Sequence, residues 1–500
     1  MLLKNTRYWD SNQLNYRRAT IRITDGKFEV SENETTNGLH PLNAKEETYD
    51  LSGYYLLPSL IDSHAHLIGI GLHLLSPSLS DVSSLSDLAD IIRSTPAGTV
   101  ILRGWDEEKL KETPDKYFID RVDALRPVVL IRKCGHLACV NTKAIEEFNL
   151  KKSEGIDASE IYRGILKERA IGLLSEHLQR SDPLLRNALN AASELLISEG
   201  ITSIHTDDLG CVPYARLKQL FLNSHHLRIY EKLLPEENGF FYEWMNRPGD
   251  FFGDFGEYLS IRCVKLLLDG SFGARTAYLN RSYEGDPGNR GVRYYNQEDL
   301  EEYIALCEKN GITLCIHVIG DGALESALRG FERKSPTDNP LRHRLIHVQM
   351  AHPEQIKRIK KQNLWVSIQP VFYDSDNLLA PVVLGEKRYR EVAYPFKALF
   401  EEGIPIALST DAPVERSNPW VNLAASTRFF PIKDAFMMYT SNAAKSGFSE
   451  SVCGKIRTGF YADALLFDKN IFEIETNTLR DIKPVNVLFN GKWLYDIRNT

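Results

Sequence analysis

His64 and His66 stand one alanine apart in the apolar run PSLIDSHAHLIG. Side chains two residues apart in a strand point to the same face, so the pair presents two imidazoles together, half of a metal site. Taken singly, an HxH is more often a hydrogen-bonded pair in a core. The residues further along the chain change that weighting. Lys265 lies inside SIRCVKLLLDG, His317 inside TLCIHVIGDG, His347 inside RLIHVQ, and Asp411 ends IALSTDAP. Each is ionisable, and each is embedded in an apolar run that reads as a strand. An ammonium group in a run as apolar as CVKLLL must be paired, neutralised or chemically modified. A lone histidine in such a strand is ordinarily a core residue, and an aspartate before Ala-Pro can simply start a turn. Four such coincidences instead fit an active site assembled at strand ends.

The elements that must position these residues alternate short apolar runs with helical patterns: VVLIRKCG, ITSIHTDD, LSIRCVKLLLDG, ITLCIHVIGD, LRHRLIHVQ, LWVSIQP and IPIALSTD, most followed by an amphipathic stretch. That order predicts a parallel sheet with crossover helices, an α/β fold. Its length, and the polar residues at many strand ends, favour a closed (β/α)8 TIM barrel over residues 58–449 rather than an open doubly wound sheet. There is no GxGxxG or P-loop in a strand-turn-helix setting. Residues 1–57 and 450–500 are β-rich at both ends of the chain and predict one composite β-sandwich domain, with Asn490-Gly491 as a hairpin turn. The stretch from about 75 to 185 is too long for a βα connection and predicts an insertion, a lid or subdomain over the barrel mouth.

Hydrophobic residues make up 43% and charged residues 25% of the 500, the balance of a globular chain. A net charge of −7 with no dense Lys/Arg cluster argues against nucleic acid as a partner. No apolar run approaches the length of a membrane span, and MLLKNTRYWDSNQ lacks a signal-peptide core, so the expectation is a cytoplasmic protein without membrane contact. The seven cysteines are scattered without a CxxC pair, which predicts free thiols rather than disulfides or a thiolate zinc site.

The chain also resembles the metal-dependent amidohydrolase superfamily, in particular its N-substituted formamide deformylase-like branch. The resemblance is carried in order by PSLIDSHAHL, GWDEEKL, RKCGHLACVNTKAIE, GITSIHT, VKLLLDGSFGARTAYL, IHVIGDGALESAL, RLIHVQ, VSIQP, ALSTDAPVE and RTGFYADALLFD. It implies a distorted (β/α)8 barrel flanked by a β-sandwich from both termini. It further implies that His64, His66 and Asp411 bind one metal ion, that His317 and His347 bind another, and that Lys265 lies between them as an N-carboxylated bridge. One or two divalent ions are implied, zinc first, with manganese or iron as alternatives. Carboxylation has a physical basis: adding carbon dioxide to a neutral amine turns a costly buried cation into an anionic ligand. The chain departs from the family in Pro58-Ser59-Leu60 for Pro-Gly-Phe, Gly320-Asp321-Gly322 for Gly-Asp-Arg, and Ile346 where relatives often carry Glu. These changes spare the ligands and fall on the residues that orient them.

The expected activity is hydrolysis of a non-peptide carbon–nitrogen bond, in an amide or N-formyl group of a small molecule, by a metal-activated hydroxide. Asp411 is the expected proton shuttle, and His136, matching the family's Gly-His segment, the expected oxyanion donor; a loop-stabilising hydrogen bond is an equal alternative for His136. Asp269 and Gln369 stand where they touch substrate or orient ligands, His205 where it supports a ligand, and Trp105 where it packs the insertion or lines a lid. Deamination, lactone or carbamate hydrolysis on the same scaffold, and a non-catalytic metal-binding barrel, are the alternatives. The base rate for oligomers makes a homodimer the default partner state.

Overall fold

The computed structural model describes residues 1–494 apart from 33–46, 76–78, 96–97, 134, 153–155, 168–169, 172–173, 175–181, 209–211, 225 and 236–239. Eight parallel strands form its central sheet: β1 (Leu60–Ala65), β2 (Ile201–Thr206), β3 (Arg228–Leu233), β4 (Leu259–Leu267), β5 (Thr313–Val318), β6 (Arg344–His347), β7 (Trp365–Ile368) and β8 (Ile406–Leu408). They are hydrogen-bonded in chain order, with the short strand Gly253–Asp254 added antiparallel to β4. Most of these segments are buried on both faces, as expected where helices cover the outside. The helices follow from local signals. Helix Gln297–Asn310, for example, starts where the Asn296 side chain accepts from Asp299 N and stops at Gly311, whose φ of 68° suits a residue without Cβ.

The segment after β8 closes the ring against β1. Thr410 donates to the Asp62 carboxylate through N at 3.2 Å and through Oγ1 at 2.6 Å. Asp411 N donates to His64 O at 2.9 Å and His66 N to Ala412 O at 2.8 Å. Barrel closure therefore sets Asp411 beside the HxH pair. Helix Leu67–Leu75, which follows β1, is covered by helix Asp182–Ser198, and a Cβ on Gly71 would lie 1.8 Å from Ala188 O.

A (β/α)8 barrel is thus present, but one strand assignment changes. VVLIRKCG supplies Val128–Arg132 of a separate four-stranded sheet, and the third barrel strand is RIYEKL, Arg228–Leu233. RIYEKL escapes an apolar-run criterion because Lys232 points into a polar barrel interior and Glu231, on the opposite face, accepts from Asp208 N at 3.2 Å, both fully buried. The separate sheet orders Ile165–Lys167, Leu137–Val140, Val128–Arg132 and Val100–Trp105, with its own apolar core around Leu88, Ile92, Leu102 and Leu130. Trp105 packs in that core and donates from Nε1 to Leu130 O at 3.0 Å.

Both ends of the chain share an eight-stranded sheet. Ala464–Phe467 pairs antiparallel with Tyr55–Pro58, which pairs with Leu2–Asp10. Leu488↔Trp493 and Phe489↔Lys492 flank Asn490-Gly491, both at positive φ, the geometry of a tight hairpin. Cys139, Cys263, Cys307, Cys315 and Cys453 are free and buried, and Cys134 and Cys211 lie outside the described residues. Among the described residues no helix is long and apolar enough to cross a membrane.

Candidate metal centre

His64, His66 and Asp411 meet where β1 and β8 end. Asp411 Oδ1 lies 3.1 Å from His64 Nε2 and 3.3 Å from His66 Nε2. His347, the last residue of β6, adds its ring 5.4 Å from that of His64, and the His317 ring lies 4.5 Å from that of His347. His347 (φ 77°) and Asp411 (φ 60°) both adopt left-handed backbone. That conformation costs a residue with a side chain on the order of 1–3 kcal/mol, and such costs concentrate at functional sites.

Two triads bring one donor atom from each member within 4.8 Å of the others: His64, His347 and Asp411, and His64, His66 and Asp207. Asp207 is one of two residues here that the sequence reading missed. It directly follows β2 in SIHTDD, so an acidic residue at the carboxyl end of a barrel strand was the available signal. Its Oδ2 pairs with Lys265 Nζ at 3.2 Å, and Lys265 Nζ is 3.5 Å from His64 Nε2. Lys232, also missed, approaches His64 Nδ1 at 2.9 Å and donates to His205 O at 2.9 Å.

The electrostatics sort these groups. Burial, reinforced by the Lys265 and Lys232 cations, holds His64 well below the usual histidine range. Burial does the same to His317 and takes His347 down to about 4, so these three rings are neutral and keep a nitrogen lone pair. Burial also opposes the charge on His66, yet Asp207 and Asp411 outweigh it and hold the ring up to about 10. Asp207 and Asp411 are both pulled below the ordinary carboxylate range despite burial, Asp207 by the two lysines and Asp411 first by His347. The neutral imidazoles of His64, His317 and His347 and the ionised carboxylates are the donor set of a zinc-like divalent ion, and His66 would join them by releasing its proton when a cation takes that charge's place beside Asp207 and Asp411. Asp207 Oδ1 faces His66 Nδ1 at 3.2 Å, so this buried carboxylate stands against the HxH pair from the side opposite Asp411. His317 stands outside both triads, with Nε2 bonded to Gly270 O at 3.1 Å.

Asp269 and Gln369 lie behind the histidines rather than on the cavity wall. Asp269 accepts from the backbone N of Tyr278, Ile319 and Gly320 and sits 3.5 Å from His317 Nε2. Gln369 Oε1 accepts from His347 Nδ1 at 2.9 Å, and its Nε2 donates to Ser409 Oγ at 2.8 Å. Between the two roles open to these residues, orienting ligands is the one their contacts match. His205 accepts from Arg344 Nη1 at 3.1 Å beneath the cluster. A cavity of about 270 Å³ opens above it, and His136 of the insertion lines this space, its ring 5.8 Å from that of His317.

A model of the amidohydrolase family matches residues 47–495. YtcJ of Bacillus subtilis (strain 168) is 28% identical over 90% of each chain, and the N-substituted formamide deformylase of Arthrobacter pascens is 22% identical over 90% of each. Among solved structures, an uncharacterized metal-dependent hydrolase from Pyrococcus horikoshii superposes with a TM-score of 0.77 at 26% identity, covering 95% of this chain and 99% of that one. The chain belongs to the amidohydrolase family of hydrolases.

Proposed function

We propose that the protein is a metal-dependent hydrolase of carbon–nitrogen bonds other than peptide bonds, acting on an amide or N-formyl group of a small molecule. The observation that carries this is the Asp411 carboxylate, held against Nε2 of both His64 and His66 beside a cavity of substrate size. His64, His66, His347, Asp411 and Asp207 would hold the metal, with His317 and Lys265 at its margin. When bound, a divalent ion supplies Lewis acidity that polarises a carbonyl and makes a nearby water more acidic at neutral pH.

Asp411 takes the proton of the attacking water on a carboxylate oxygen and returns it to the departing nitrogen. His136 donates a ring N–H to the oxyanion that forms from the carbonyl oxygen. The insertion carrying His136 covers the mouth and keeps bulk water from competing for the same donors. Gln369 and Asp269 hold the histidine rings in register throughout. Zinc is the proposed ion. N-carboxylation of Lys265 is the proposed modification, and it places a second anion against Asp207, a pairing that bound cations relieve. Intact-mass measurement of the native protein tests this directly.

The decisive assay is a panel of N-formyl and N-acyl small molecules with added zinc or manganese, run beside metal analysis of protein purified without chelators. Turnover with stoichiometric metal is expected. Protein that neither retains nor takes up divalent metal, or loaded protein inert to the whole panel, overturns the proposal.

A further inference from the structure

The outer part of the cavity runs between the insertion and the loops after β7 and β8, and its charges are satisfied unequally. On the insertion side the cations Arg132 and Lys133 already have anionic partners. Arg132 Nε and Nη2 donate to Glu107 at 2.7 and 2.8 Å, and Lys133 Nζ donates to Asp106 at 2.8 Å. On the loop side stand Asp376 and Glu415, which also line the cavity. Their hydrogen-bond partners are hydroxyls: Tyr394 Oη donates to Asp376 Oδ2 at 2.6 Å, and Ser375 bonds Glu415. Among the described residues no ion pair engages either carboxylate.

Burial pushes Asp376 up to about 6 and Glu415 up to about 7. The Asp376 charge adds to the effect on Glu415, and the Lys133 ammonium offsets only part of it in both. Arg103 also lines the insertion side, but an anionic ligand here would have to approach two carboxylates, and Lys133 and Arg132 could meet it only by leaving their partners. A cation meets two acceptors that make no direct ion pair among the described residues and feel Lys133 only at a distance.

We infer that this outer chamber selects substrates bearing a second, cationic nitrogen, an ammonium or guanidinium group a few bonds from the scissile amide, with Asp376 and Glu415 as its receptors. The chemical class is an N-acylated or N-formylated diamine or basic side chain. The identity of the reacting end rests on the hydrolase reading above; the charge preference rests on the chamber alone. Ammonium-to-carboxylate hydrogen bonds are roughly twice as strong as neutral ones, which corresponds to about 10–100-fold in affinity.

The test separates the two readings by using ligands that cannot be hydrolysed. Calorimetric titration of the metal-loaded protein compares N-(4-aminobutyl)methanesulfonamide with its neutral N-pentyl isostere and its anionic carboxylate counterpart. The cationic ligand should bind about 10–100-fold more tightly than the neutral one, and the anionic ligand most weakly. Asp376→Asn and Glu415→Gln keep an oxygen for the Tyr394 and Ser375 hydroxyls, and each should bring the cationic ligand to within about threefold of the neutral one. Either variant alone decides the matter if the other fails to accumulate. Equal or tighter binding of the neutral or anionic ligand, an advantage that survives both substitutions, or no measurable binding of any of the three overturns the inference. Parallel incubation of the matching N-formyl compounds with zinc-loaded protein reports on hydrolysis separately. Failure there, with the cation preference intact, strikes the hydrolase reading only.

Discussion

Replacing Gln369 by Met tests whether His347 is a metal ligand held by a hydrogen bond behind it. Gln369 is fully buried, and Ser409 Oγ, which accepts from Gln369 Nε2 while facing Ile368 O at 3.4 Å, fixes which end of the amide faces His347. The carbonyl oxygen therefore accepts from His347 Nδ1, and the ring's Nε2 keeps the lone pair that a metal needs. Methionine has a similar volume, so Gln369→Met removes the acceptor without opening a large void. An imidazole N–H polarised by a bound cation loses about 1.5–3 kcal/mol when its acceptor goes, which is about 10–100-fold in metal affinity. The assay is competition for zinc against a chelator of known affinity, with circular dichroism as the control for folding. The apparent Kd should rise by about 10–100-fold, and His347→Ala should raise it further. Turnover at saturating metal should fall by less than about tenfold, because ring position is restored once the ion is bound. A zinc affinity within about twofold of the parent in both variants would falsify the assignment of His347 as a ligand and of Gln369 as its support.

Asp411→Asn should reduce turnover by about 10²–10⁴-fold, the scale of a lost general base, in protein that circular dichroism shows to be folded; hydrolysis at the parent rate in steady-state assays removes Asp411 from the proton path. Glu199→Gln should show its effect in the pH dependence of stability. Burial lifts Glu199 from 4.5 to about 7 while Ser417 Oγ still donates to it, so the folded chain holds a proton there that the unfolded chain has released. Stability should then fall as pH rises from about 4.5 to 7 and level off above. Discounted for partial exposure the loss is about 2 kcal/mol, and chemical denaturation at pH 8 should find the Gln variant more stable by that amount; identical pH profiles refute it. Gly71→Ala should cost about 3 kcal/mol, because the new Cβ meets the Ala188 carbonyl at 1.8 Å and two packed helices must separate; an unchanged melting temperature contradicts that packing.

The legibility of the sequence varied with the kind of residue. Strand ends carrying one polar residue in an apolar run, as in TLCIHVIGD and RLIHVQ, could be read because the contrast is local. RIYEKL could not, since its glutamate and lysine are as buried as any valine in the barrel. Its interior is polar: Arg344 reaches Ser63 O, His205 and Ser367 Oγ, and Cys263 and Cys315 touch at 3.0 Å. An apolar-run criterion presumes that buried strands are apolar, and fails where buried polar groups satisfy each other. Asp207 went unread for another reason. In SIHTDD two acids follow the strand, and nothing in the spacing says which faces the histidines. Only the pairing of β2 with β1 and β3 puts Asp207 between Lys265 and His66.

That dependence on pairing explains why the site and the fold are hard to separate in this chain. Asp62, two residues before His64, is fully buried, and burial pushes its carboxyl up to about 6 even though Thr410 N, Thr410 Oγ1 and His64 N all donate to it. Such a carboxyl is costly to keep unless its donors stay in place. Those donors belong to the strand carrying His64 and to the residue just before Asp411. Any opening of the barrel between β8 and β1 strips Asp62 of the Thr410 donors and in the same motion withdraws Asp411 from both imidazoles. The left-handed backbone at Asp411 is held by the same bonds, through its N–H to His64 O. Closure of the sheet and assembly of the donor cluster are therefore one cooperative event, and the strain at Asp411 is carried by contacts that lie inside the barrel.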